Sequence, residues 1–251
     1  MFSPKLRQRI PSSHHLLLED LCQIIDALEA NSKEVSSFKP VTDKLKFYNS
    51  YIDFALAIYV EKFKQMYRCI AESLEREWYM VYAQSGRAIL ENAAVLSYYA
   101  GHKDFRHLRE AWKSQSITDG SLTRAVNTID RFVRGNRFSW DAFVEGRFDE
   151  LGIRPHQEGL KPAHTQECLR QWYKDSPNAE QLYDLFCDLV HPNLGSNLLV
   201  VRSHHNELVA GGIGGSNVSI FIVCPTLAGL IGAYKRIQDD FLRLEALRIP
   251  I

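Results

Sequence analysis

Gly86-Arg87-Ala88-Ile89-Leu90-Glu91-Asn92-Ala93-Ala94-Val95-Leu96-Ser97-Tyr98-Tyr99 decides the fold class of this chain. Apolar residues fill most of it and no proline interrupts it, which suits a helix. From Ala88 onward nearly every face of that helix is apolar, so the segment belongs inside a bundle rather than on a surface. Arg87 and Glu91 are the exceptions and stand one turn apart. A second stretch about a hundred residues later, Tyr183-Asp184-Leu185-Phe186-Cys187-Asp188-Leu189-Val190-His191-Pro192-Asn193, places a histidine where a proline ends a helix.

Outward from these two stretches the periodicity stays helical. Ser12-Ser13 offer an N-cap for a helix over 14–30, with Leu17, Leu18, Leu21, Ile24, Ile25 and Leu28 at helical spacing. A long helical region over 42–100 follows, expected to turn back on itself near Glu72-Ser73 and to close at Gly101. Asp104 is the expected cap of a short helix through Trp112, and another helix spans 122–133. Residues 135–164 carry Gly146, Gly152, Pro155, Gly159 and Pro162 and read as irregular, an insertion or boundary within one helical domain of 251 residues. After a helix over 165–174, Ser176-Pro177 signals the start of the next, with serine at the N-cap and proline at the first turn.

The period then changes. Asn197 to Arg202 and Glu207 to Ala210 flank His204-His205-Asn206 and read as a small β-hairpin within 197–211. The last helix begins between Asn217 and Pro225, with Leu227, Leu230, Tyr234, Ile237, Phe241 and Leu244 on one face. The expected fold is therefore mainly α, a helical bundle with one small hairpin.

Composition narrows the function classes. Thirty basic residues balance thirty acidic ones, so no global field draws the protein to nucleic acid or membrane. The five cysteines, Cys22, Cys69, Cys168, Cys187 and Cys224, are odd in number and form no C-x-x-C pair, which fits reduced thiols. With no apolar run behind the basic opening residues, a cytoplasmic location is expected. Leu208 to Tyr234 contains no charge, but glycines and Pro225 interrupt it, and its apolar part, Val218 to Ala233, falls short of the ~20 residues of a membrane span. A buried core element is the favoured reading there.

Several groups are candidates for chemistry. Arg87 and Glu91 make either a structural ion pair or the wall of a pocket. His191, at a helix end, is either a capping histidine or a general acid–base facing Arg87, with Asp184 and Asp188 on its own helix face to orient the ring. Arg131, Arg134 and Arg137 sit three apart near Gly135 and suit a phosphate or an RNA backbone, but Asp130 and Asp141 dilute their charge and favour a solvated helix end. Gly211-Gly212-Ile213-Gly214-Gly215 lacks the lysine and serine or threonine of a phosphate loop and reads as a turn. His204-His205 have no partner at metal-ligand spacing, so neither a metal nor another cofactor is expected.

The helix of form Arg-x-x-x-Glu, followed by a later helix closing on a histidine, resembles the helical HEPN and abortive-infection-like proteins of bacteria. That resemblance covers about 42–193. It implies a dimerising helical bundle of defence or toxin–antitoxin type and a metal-independent ribonuclease, with RNA or a protein partner. The family signature is an arginine followed after four to six residues by a histidine. No arginine precedes His191 at that spacing, and the literal matches, Arg9 to His14 or His15 and Arg7 to His14, lie near the N-terminus. The resemblance thus implies a location, with Arg87, Glu91 and His191 as catalytic residues in one cleft. Arg131, Arg134 and Asn193 would bind substrate, and Tyr98, Tyr183 or Asn193 would position a base or the scissile group. The alternative is a non-enzymatic helical interaction module in which Arg87, Glu91 and His191 lock the core, and a membrane-associated protein using Val218 to Ala233 is the third and least favoured reading.

Overall fold

A computed structural model describes residues 2–32, 43–134, 145–147, 163–204, 207–210 and 217–250. The chain is mainly α-helical. Its helices are α1 (Pro4–Arg9), α2 (His15–Asn31), α3 (Lys44–Arg76), α4 (Tyr79–Ala100), α5 (Lys103–Lys113), α6 (Asp119–Arg134), α7 (Thr165–Asp175), α8 (Pro177–Val190), α9 (Leu194–Leu198) and α10 (Asn217–Glu245). Strands β1 (Val201–His204) and β2 (Glu207–Ala210) pair antiparallel, with His204 opposite Glu207. The hairpin is shorter than expected, because Asn197 and Leu198 close the short helix α9 rather than opening a strand.

The chain forms two compact units that share the long helices: Met1–Ser32, Val60–Ala94 and Leu169–Gln238 in the first; Lys33–Tyr59, Val95–Cys168 and Asp239–Ile251 in the second. In the first unit, Leu18, Leu21, Ile24 and Leu28 of α2 are buried, as are Phe63, Tyr67, Ile70 and Leu74 of α3. Each such aliphatic side chain contributes roughly 1.5–3 kcal/mol by leaving water. Tyrosines add direction to this packing. The Tyr67 hydroxyl donates to the Leu230 carbonyl of α10 at 2.8 Å, and the Tyr82 hydroxyl shares a hydrogen bond with the Thr226 hydroxyl at 2.9 Å. Burial pushes both phenols well above their ordinary range, so they stay protonated donors.

The break between α3 and α4 falls at Glu77, not near Glu72-Ser73. Glu77 adopts a left-handed conformation (φ 61°), and the Trp78 N–H bonds the Ser73 carbonyl at 2.8 Å, a Schellman-type stop. That stop is held by helix α1, which the sequence reading left without structure. Ser3 caps α1 and also bonds Glu75 through N–H and hydroxyl (2.6 and 2.7 Å), while Lys5 and Arg9 pair with Glu77. Arginine and lysine beside the Glu77 carboxylate thus accompany a backbone conformation that a non-glycine residue seldom adopts.

In the second unit, Tyr48, Tyr51 and Ile52 of α3 and Phe105, Leu108, Leu122, Ala125 and Ile129 of α5 and α6 are buried. Asn49 clamps the C-terminal segment with a reciprocal pair, donating to the Ile249 carbonyl at 2.7 Å and accepting its N–H at 3.0 Å. The cap of α5 is His102, not Asp104: the His102 Nδ1 accepts the Asp104 N–H at 3.3 Å. Helix α10 runs through Pro225 without ending there, and its stretch Ile220–Glu245 is long and apolar enough to cross a membrane. Less than half of the most apolar window, 44%, is buried inside the chain, and Phe221 is exposed. Most of 135–164 and all of 211–216 lie outside the described residues.

Candidate functional site

Gly86 sets the geometry around Arg87. A Cβ on Gly86 would lie 2.3 Å from the ring of Phe186, so α4 and α8 approach more closely here than any side chain on that face allows. Phe186 is fully buried, and Tyr183 lies one turn before it on α8. This close approach brings Tyr183 under the next polar residues of α4.

The result is a three-membered clasp. Glu91 Oε1 accepts Arg87 Nε at 2.9 Å and the Tyr183 hydroxyl at 3.1 Å. The Arg87 guanidinium also lies over the Tyr183 ring, 5.8 Å from its centroid. Arg87 and Glu91 keep 28% and 30% of their side-chain surface exposed, so the ion pair itself contributes under about 1 kcal/mol. The tyrosine bond adds a second charge-assisted link, because Tyr183 is buried and its acceptor charged. Burial, then the neighbouring Cys187 and the Glu91 charge, push the Tyr183 phenol up to about 12. At neutral pH it is therefore a donor, fitted to hold Glu91 in place.

His191 stands elsewhere on α8. It is the C-cap, its backbone N–H bonding the Cys187 carbonyl at 2.9 Å. Eight residues separate it from Tyr183, or ~12 Å along the helix axis. Its side chain is exposed and has no hydrogen bond or ion pair among the described residues; the same holds for Asp184 and Asp188. Asn193 is engaged locally: its side-chain oxygen accepts the Ser196 N–H at 3.3 Å and forms a capping box at the start of α9. Arg131 belongs to the second unit, where its charge acts on Tyr98 and His102. Arg134 closes α6, and its side chain lies outside the described residues, as do Arg137 and His205. The structure thus joins Arg87 to Glu91, adds Tyr183, and joins His191 to neither.

The first unit also carries an open groove of about 620 Å³ between α8 and α10. Leu182 packs against Gly229, where a Cβ would meet it at 2.7 Å, whereas Gly232 faces free space. Leu185, Pro225 and Ala228 continue an apolar lining that, among the described residues, includes one cation, Arg236, and no acid. The sequence reading missed both Tyr183 as the partner of Glu91 and this groove. Only the Tyr183-x-x-Phe186 spacing, two aromatics on one helix face, hinted at the first. No group of three metal-ligating side chains occurs among the described residues.

No family model matches the chain, and neither a curated protein nor a solved structure matches it. The likeness to HEPN proteins rests on the sequence stretches around Arg87 and His191 alone.

Proposed function

We propose that this protein is a non-enzymatic helical interaction module, in which Arg87, Glu91 and Tyr183 close a helix pair rather than carry out chemistry. One observation carries the reading: the Glu91 carboxylate takes both Arg87 and the Tyr183 hydroxyl, while His191 stands two turns further along α8. An arginine neutralised by a carboxylate at hydrogen-bond distance has little charge left for a developing oxyanion. A general base acts within one water of its proton, and no hydrogen bond or ion pair among the described residues links His191, ~12 Å past Tyr183 along the α8 axis, to Arg87 or Glu91. The groove beside α10, with Leu185 partly exposed at its edge, supplies an apolar surface of the kind that binding proteins use.

The rival reading is the HEPN-like ribonuclease. RNA cleavage by purified protein in EDTA, with Arg87→Ala and His191→Ala alongside, separates the two. The module reading expects no cleavage by wild type, a lowered melting temperature for Arg87→Ala and an unchanged one for His191→Ala. Cleavage by wild type that both variants lose at unchanged melting temperature would establish the ribonuclease instead.

A further inference from the structure

The joint between α3 and α4 is made of residues that continue a helix. Leu74-Glu75-Arg76-Glu77-Trp78-Tyr79-Met80 contains neither glycine nor proline, and most of its members are good helix formers. Yet the chain turns here, and α4 comes back along α3, with the Asn92 amide donating to Met66 Sδ at 4.0 Å. The turn puts Glu77 in the left-handed region at φ 61°, a conformation that is costly for any residue with a Cβ. The bend is opposed by its own sequence and needs support from elsewhere.

Helix α1 supplies that support. Ser3 donates to Glu75 through its N–H and its hydroxyl, and Lys5 pairs with Glu77 at 3.0 Å. Arg9 pairs with Glu77 as well and donates to the Leu74 carbonyl at 3.0 Å. Phe2, Leu6 and Ile10 of the same segment are buried. At its far end His15 Nε2 donates to the carbonyls of Arg7 and Ile10, at 2.8 and 3.0 Å, which ties α1 to the start of α2.

These contacts depend on the bend. In a continuous helix, positions two apart lie about 200° around the axis from each other. Glu75 and Glu77 would then face opposite sides, and α1 could not hold both. The Leu74 carbonyl would also take the Trp78 N–H, which in the bent joint goes to the Ser73 carbonyl instead. Helix α1 therefore binds the bent joint in preference to a straight one, and biases a two-state element.

We propose that α1 is a strap that keeps α3 and α4 folded back within one copy, and that its release lets them run on as one helix and exchange partners with a second copy of this chain. A lone copy with a straight joint would lose the contacts made across it, such as the Tyr67 hydroxyl on the Leu230 carbonyl and Asn92 on Met66. A second copy supplies the same contacts again, so the two states differ mainly at the joint. A short joint under strain is where such an exchange starts. The strap does not depend on the reading of the protein as an interaction module, since it touches neither the clasp nor the groove.

The test is the self-association constant of the full chain, measured by sedimentation. Arg9→Met keeps the aliphatic stem but removes the partner of Glu77 and of the Leu74 carbonyl. It is expected to tighten self-association over wild type on the order of tenfold. Lys5→Met is expected to do less, because the Lys5 side chain is 70% exposed. Glu77→Gly works in the opposite direction, although it too removes the carboxylate that α1 grips. Glycine adopts φ 61° freely and weakens a continuous helix, so in the Arg9→Met background it is expected to return association to the wild-type level or below. If Arg9→Met does not fold, Ser3→Ala, which removes the hydroxyl bond to Glu75, carries the same comparison. Association no tighter in these variants than in wild type overturns the strap. Tighter association that Glu77→Gly leaves in place overturns it too, and moves the contact to an exposed face such as that of Phe221 on α10.

Discussion

The clasp on α4 and α8 and the cluster around His102 are built from the same residue types, an arginine, a tyrosine and an ionisable partner, yet they differ in what those residues touch. In the clasp the arginine and the phenol both end on Glu91. In the His102 cluster, Arg131 and Tyr98 end on nothing among the described residues. The first is closed and stabilises a helix pair; the second leaves a buried Arg131 Nε without a hydrogen-bond partner. An arginine in an apolar helix therefore says little about chemistry until its acceptor is known.

The largest blow to the closed region is Phe186→Ala. It empties the space over Gly86 and is expected to cost about 3–5 kcal/mol in urea unfolding. Gly86→Ala tests the same contact from the other side. Helix propensity favours alanine by about 1 kcal/mol, but a Cβ 2.3 Å from the Phe186 ring forces the helices apart, so net destabilisation of about 1–2 kcal/mol is expected. A stabilised Gly86→Ala would mean the two helices do not approach as described.

Alkaline titration sharpens the contrast. The Tyr183 phenol is raised from about 10 to about 12, so its contribution is complete below pH ~10 and is lost as pH rises through ~12. Tyr183→Phe should remove that part of the alkaline loss and no part of the stability profile on the acid side. The smallest effect concerns His102. Burial holds its imidazole below the usual range, an effect that Asp104 opposes and that the Lys103, Arg131 and Arg106 charges reinforce. The folded state therefore favours the neutral ring. Its contribution is present above pH ~6.5 and is lost as pH falls through the lowered folded value, a decline that His102→Asn should reduce.

Much of the fold was legible in the residues. Helical spacing gave the buried face of α10, and Ser176-Pro177 marked the start of α8, although the Ser176 side chain makes no capping bond. What escaped depended on contacts between distant segments. Ser3-Pro4 carries the same start signal as Ser176-Pro177, but α1 spans only six residues, and such a helix is marginal without Glu75 and Glu77 to hold it. The stop at Glu77 has no glycine or proline to announce it, and its basic partners come from α1. Within the candidate site, Arg87 and Glu91 were readable because an i, i+4 pair is local. Tyr183 was not readable as their partner, since 92 positions separate it from Glu91.

The most direct measurement is a double-mutant cycle on Glu91→Gln and Tyr183→Phe, followed by urea unfolding. A closed clasp predicts a coupling of about 0.5–1.5 kcal/mol between the two sites, because Glu91→Gln takes the charge from the acceptor and Tyr183→Phe removes the donor of the same hydrogen bond. Additivity to within about 0.3 kcal/mol would contradict it and would leave Glu91 and Arg87 available for chemistry.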